Sequence, residues 1–192
     1  LEDLFSLGFL SFTGKFKKKK NTNIPKDEIK LIKCKKCNLV QLSKNFNPSY
    51  LYGKDYGYRS GINKTMTEHL SSISKKMNKL TNLKKNDLVL DIASNDGSLL
   101  KNYDKKVITF GIDPIISKYI NEYDKINYKV SDFFSSERVK KIVKKKFKII
   151  TALSVFYDSI NPNKFLRDVK NILSKNGVFL LEFADLASII KN

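Results

Sequence analysis

Asp91 lies near the end of a short apolar run, Leu88-Val-Leu-Asp-Ile92, followed at once by Ala93-Ser-Asn-Asp-Gly97. A carboxylate inside such a run costs desolvation free energy unless a partner or a ligand meets it. Asp113 stands 22 positions later, in Gly111-Ile-Asp-Pro114. An acid at that spacing, closing a second strand, is placed to accept from a ribose hydroxyl pair. Asp132 and Phe133 follow a third apolar run, and suit a purine: the acid accepts from an exocyclic amine and the ring covers the base. Phe133 and Phe134 are equally read as core. Ser154 and Glu182 each close a later run.

The turn itself narrows the ligand. It has neither the G-x-G-x-x-G dinucleotide fingerprint nor the Gly-Lys-Ser/Thr of a phosphate-cradling loop. Small residues with one late glycine, at Ala93, Ser94, Asn95 and Gly97, let the backbone approach a ligand without a pyrophosphate.

The elements that must hold these residues alternate. Strands are expected at Leu88–Ile92, Val107–Ile112, Ile126–Val130, Phe147–Val155 and Val178–Phe183. Between them helices are expected after Gly97, over Ile115–Tyr123, over Val139–Lys146, and from Asn161-Pro162 to Asn176-Gly177. Alternation of this kind predicts a doubly wound parallel α/β sheet from about residue 84. Ligands in such sheets bind beyond the carboxyl ends of the strands, where the turn after Asp91 lies. Ahead of it, Ile62, Met66, Leu70, Ile73, Met77 and Leu80 form one apolar stripe at helical spacing. His69, the only histidine, sits beside that stripe and reads as structural or substrate-lining.

Residues 1–50 carry few regular signals. Lys15-Phe-Lys-Lys-Lys-Lys20 reads as an exposed loop. Short strands at Ile29–Ile32 and Leu39–Leu42 would flank Cys34-Lys-Lys-Cys37, half of a zinc ribbon; a redox dithiol or a buried thiol pair are the alternatives. Four aromatic residues follow, Tyr50, Tyr52, Tyr56 and Tyr58, as a packed linker or as phenols reaching a site. The expected organisation is a partial zinc-binding module over 1–50, a tyrosine-rich linker and helix over 51–83, and the sheet domain over 84–192.

Charge and composition exclude less than they suggest. The net charge is +18, but only three of the 37 basic residues are Arg, and the lysines are scattered. A nucleic-acid partner is therefore not expected. No apolar run is long enough to span a bilayer, and the first residues lack the basic region of a signal peptide, so a cytoplasmic protein is expected. The chain opens without Met and is expected to begin inside a longer protein.

Leu90-Asp-Ile-Ala-Ser-Asn-Asp-Gly-Ser-Leu-Leu100 resembles motif I of the class I S-adenosylmethionine-dependent methyltransferases, in the form carried by zinc-containing C-methyltransferases of nucleotide-linked deoxysugars. Cys37-Asn-Leu-Val-Gln-Leu42, Thr65-Met-Thr-Glu-His-Leu70 and Ser154-Val-Phe-Tyr-Asp158 resemble further segments of that family. The resemblance covers roughly 30–186 and implies a Rossmann-like fold, truncated at its C-terminal end. It also implies S-adenosylmethionine as cofactor and a nucleotide-linked keto-sugar as substrate. The implied cofactor residues are Asp91, Ala93, Ser94, Asn95, Gly97, Asp113, Asp132, Phe133 and Ser154. The implied metal ligands are Cys34 and Cys37, with zinc held only if an upstream cysteine pair joins them. Tyr56 and Tyr58 match a substrate-pocket segment. The family's base lies in a histidine-containing segment beyond Asn192; among the residues present the candidates are Tyr56, Tyr58, His69 and Glu182, with Glu182 placed best. Two departures are Asn38 and Ala93, each standing where the family has glycine. The rival readings are an RNA or protein methyltransferase with the same core, and a non-catalytic zinc-containing RNA-binding module.

Overall fold

The structure, a computed structural model, describes residues 1–12, 23–53 and 55–191. The lysine run at 15–20 lies outside the described residues. Two compact units emerge, Leu1–Tyr58 and a second from Arg59 onward.

The first unit is an antiparallel sheet in the order β1-β2-β3, formed by Glu2–Ser11, Lys26–Lys33 and Val40–Leu42. β2 and β3 pair Leu31 with Leu42 and Lys33 with Val40, so Cys34–Cys37 occupies the connecting turn as expected. β1 was not expected. Its residues alternate poorly and are almost all exposed, which leaves no periodic signal to read. A four-residue helix, α1 (Pro48–Leu51), follows, capped by the Asn47 side chain.

The second unit opens with a 3₁₀ turn at Ser60–Ile62 and the long helix α2, Lys64–Thr81. Asn63 caps α2 by accepting from the Met66 N–H at 3.0 Å. Leu70, Ile73 and Met77 of the expected stripe are buried, but its two ends are not: Ile62 and Leu80 are exposed. Ile62 precedes the helix, in the 3₁₀ turn, and Leu80 lies in its last turn.

Five parallel strands follow: β4 (Leu88–Ile92), β5 (Ile108–Ile112), β6 (Tyr128–Val130), β7 (Phe147–Leu153) and β8 (Leu173–Glu182). Their order is β6-β5-β4-β7-β8. The chain steps outward from β4 to β6, then crosses back to place β7 on the other side of β4. That reversal is the topological switch point at which doubly wound sheets bind ligands. Alternate residues face opposite layers. Val89 and Ile149 pack with α2, whereas Leu88, Leu90, Ile150 and Ala152 pack with the helices behind.

Those helices are α3 (Ser136–Ile142) and α4 (Pro162–Ile172). α3 starts earlier than the lysine-rich stretch suggested, because the Ser135 side chain caps it. α4 begins as expected, with Asn161 accepting from the Lys164 N–H and Pro162 in the first turn. It stops short of Asn176-Gly177, because Leu173 is already extended and pairs with Phe147. The ladder resumes from Val178. Two connections expected to be helices are looser: only a 3₁₀ turn, Leu100–Asn102, follows Gly97, and Ile116–Tyr123 is 3₁₀ with a break at Tyr119. A short unexpected helix, α5 (Leu186–Lys191), follows β8.

Candidate cofactor site

The turn after β4 departs from ordinary backbone three times. Ala93, Asn95 and Gly97 have φ of 58°, 51° and 75°. Gly97 cannot be replaced freely, since a Cβ there would stand 2.5 Å from the Ile126 side chain. Ala93 bears the cost that glycine avoids, because a left-handed φ crowds its methyl group. Strain of this order persists where the surroundings over-determine it, and such places cluster at ligand sites.

The surroundings are a set of hydrogen bonds. Tyr123, fully buried beneath the turn, donates to the Asn95 carbonyl at 2.9 Å and shares a 2.8 Å bond with the Ser94 hydroxyl. Asp113 accepts from the Asn95 N–H at 3.0 Å and from the Ile115 N–H at 2.9 Å. From the other side, the Asn95 side chain accepts from the Ser60 N–H and Asp96 from the Gly61 N–H. Arg59 grips Asp96 through Nε at 3.0 Å and reaches Glu122 with its other end, while Lys101 holds Glu122 at 2.7 Å. Gly61 is needed for this approach, since a Cβ would meet the Asp96 carboxylate at 2.5 Å.

Two acids at the switch point are raised above the usual carboxylate range by burial. Asp91, 5% exposed, is pushed up to about 7: burial dominates, the Thr151 hydroxyl donating at 2.6 Å opposes it, and nearby Asp113 adds to it. Asp113 is pushed up to about 6, again by burial, with the two N–H groups opposing. Asp96 goes the other way. Burial works against its charge, but Ser98, Arg59 and Gly61 together hold it below the usual carboxylate value.

The expected cofactor residues therefore divide. Asp91, Ala93, Ser94, Asn95, Gly97 and Asp113 form one cluster at the carboxyl ends of β4 and β5. Asp132 and Phe133 sit beyond β6, half-buried, with Asp132 paired to Arg138 at 2.5 Å. Ser154, at φ 52°, closes β7, and its N–H donates to the Glu182 carbonyl at 2.7 Å. Tyr157 hydrogen-bonds Ser154 from the following 3₁₀ turn. Glu182 reaches across to His69 of α2, Nε2 to Oε2 at 2.7 Å. Tyr56 and Tyr58 belong to the first unit, where their rings are 6.4 Å apart and tilted. Thr151, Tyr123 and the Arg59 clamp were not singled out from sequence. A threonine inside a strand and a tyrosine closing a broken helix carry no motif.

Asp91 is a buried acceptor, and the Tyr103 hydroxyl within its electrostatic reach is buried with no hydrogen-bond partner among the described residues.

Among solved structures, the chain matches the plantazolicin methyltransferase BpumL, solved in complex with a pentazolic desmethylPZN analog and SAH. The TM-score is 0.53 and the identity 20%, over 67% of this chain and 51% of that one. The second unit has a Rossmann-like methyltransferase fold. At that identity the likeness concerns the fold. A S-adenosylmethionine-dependent methyltransferase from Clostridium acetobutylicum ATCC 824 is also similar, 22% identical with a TM-score of 0.49, over 60% of this chain and 49% of that one. The chain spans about half the length of each. No family model matches the chain, nor does any curated protein.

In the first unit, Cys34 and Cys37 share a turn. The Cys34 thiol is lowered by the N–H groups of Cys37 and Lys36 and by the Cys37 thiol. Asn38 takes φ 60°, the left-handed value glycine would take, which asparagine tolerates. Among the described residues no group of three or more His, Cys, Asp or Glu side chains converges. Two thiols alone do not fit a structural zinc site. Among the described residues no helix is long and apolar enough to cross a membrane.

Proposed function

We propose that this chain is an S-adenosylmethionine-dependent methyltransferase acting on carbon next to the ketone of a nucleotide-linked deoxysugar. The observation that carries the cofactor is the strained turn at the switch point, with Asp113 closing the neighbouring strand. Asp113 would hold the ribose hydroxyls, while Asp91, Ser94 and the backbone around Gly97 would receive the amino-acid end. Asp132 and Phe133 would meet the adenine. The cofactor would supply an electrophilic methyl group on a sulfonium. The carbon acceptor and the sugar class rest on the resemblance of the segments at 90–100 and 154–158, both of which lie at the carboxyl edge of the sheet. Zinc binding by Cys34 and Cys37 would need further ligands.

The test is methyl transfer. The chain is incubated with S-adenosylmethionine carrying a labelled methyl group, and with dTDP-4-keto-6-deoxyglucose, an RNA transcript or a protein extract in separate arms. Label on carbon of the sugar supports the proposal. Label on RNA or protein alone would move the substrate to those classes.

A further inference from the structure

We infer that His69 and Glu182 form a proton-accepting pair, with His69 the base and Glu182 the residue that positions it; this replaces both the base that the resemblance implies and the reading of His69 as structural or substrate-lining. The inference rests on the keto-sugar reading for its acceptor, but on geometry for the pair.

Glu182 is the last residue of β8, in register with Leu153 at the end of β7. Side chains alternate along a strand. Val178 and Leu180 pack into the core under α2, so Glu182 points to that same face. Asp91 and Thr151, two positions on from Val89 and Ile149 of that core, share it. His69 reaches the face from α2 and closes on Glu182 at 2.7 Å. Two strand spacings separate β8 from β4, about 10 Å at about 4.8 Å each.

The chemistry of the pair follows from its donors. A carboxylate only accepts, so Nε2 of His69 carries the proton that Glu182 receives. In the neutral imidazole the lone pair is then on Nδ1, which makes no hydrogen bond among the described residues. The His69 side chain is 43% exposed, so an acceptor can reach it. Glu182 plays the part of the third group in a base-and-orienter arrangement: it fixes the tautomer and stabilises the imidazolium that forms. A neighbouring detail points the same way. Ser154, whose N–H is bound by the Glu182 carbonyl, holds a left-handed φ without being glycine, and such strain is retained at functional sites.

The step is a proton transfer. The C–H bond next to the ketone breaks, its electron pair moves into the carbonyl system to give an enolate, and the proton goes to Nδ1. The reverse transfer from a deuterated imidazolium returns deuterium to carbon. Solvent exchange therefore occurs without any methyl donor.

The experiment follows deuterium entry from heavy water into dTDP-4-keto-6-deoxyglucose by proton resonance, without S-adenosylmethionine. The native chain should accelerate exchange over buffer. His69→Gln should lose that acceleration by 100-fold or more, the usual contribution of a positioned base being about 10²–10⁴. His69→Gly should recover part of it on adding imidazole, which a merely structural histidine would not show. Glu182→Gln should lower the rate at saturating probe without raising the half-saturating concentration. No acceleration by the native chain, or equal exchange by His69→Gln, overturns the assignment. Calorimetry with S-adenosylhomocysteine on the same proteins separates the two readings. Exchange without cofactor binding sinks the methyltransferase reading and leaves the pair. Binding without exchange does the reverse.

Discussion

Ala93 concentrates the tension at the candidate site. Its φ of 58° crowds a methyl group that glycine would lack, at a cost of about 1–2 kcal/mol. Glycine also gains unfolded-state entropy, which takes back about 0.4–1 kcal/mol. Ala93→Gly should therefore be neutral or raise stability by up to about 1.6 kcal/mol in thermal melts. Marked destabilisation would show that the methyl group packs rather than strains. Gly97→Ala should do the opposite, losing about 1–3 kcal/mol from the left-handed φ alone, with the Ile126 contact adding to it. The two buried acids give a pH signature. Both have folded values raised above the unfolded one, Asp91 to about 7 and Asp113 to about 6. Between about pH 4 and 7 the folded state holds protons that the unfolded state has released. Stability is thus full below about pH 4 and falls as pH rises through 6 and 7, by a few kcal/mol in all. Asp91→Asn should flatten that slope in denaturant titrations at pH 4.5 and 7.5; an unchanged slope would contradict the assignment. Asp96, held low, acts in the other window, its contribution being lost only as pH falls below the usual carboxylate range.

At the scale of elements, what was legible followed from periodicity and caps. Leu88–Ile92 reads as a buried strand because it is a short apolar run bounded by turn residues, and all five of its residues are buried; Asn161-Pro162 reads as a helix start because a capping side chain is followed by a ring that fixes the first helical φ. Replacing Asn161 by Ala removes its 2.9 Å bond from the Lys164 N–H and should cost about 1 kcal/mol, checked by urea melts. What was illegible depended on partners distant in sequence. β1 shows no alternation, and its ladder with β2 was invisible until the register paired Glu2 with Lys33. The end of α4 depended on Leu173 finding Phe147, which overrode the Asn-Gly stop signal. His69 was read from its place beside the α2 stripe. Its partner, Glu182, is 113 residues away. The acids of the turn were legible, but the clamp from Arg59 through Asp96 to Glu122 was not, because ion pairs carry no local spacing.

At the scale of the whole molecule, the second unit brings one switch point and one strained turn to the same edge of the sheet. The central claim is that this edge binds S-adenosylmethionine. The first unit supplies a cysteine pair whose donors are too few for structural zinc. Zinc added to the chain should therefore be stripped by a chelator without loss of the second unit's fold, as followed by circular dichroism. The central claim itself is tested most directly by titrating S-adenosylhomocysteine into the chain by calorimetry, with a thermal melt in parallel. Binding at one site is expected, and at a hundredfold excess over Kd it should stabilise the fold by about 2.7 kcal/mol. At about 2–4 °C per kcal/mol for a chain of this size, the melting temperature should rise visibly. Asp113→Asn should weaken that binding by about 1–3 kcal/mol. A folded chain that neither releases heat nor gains stability with S-adenosylhomocysteine would contradict the account.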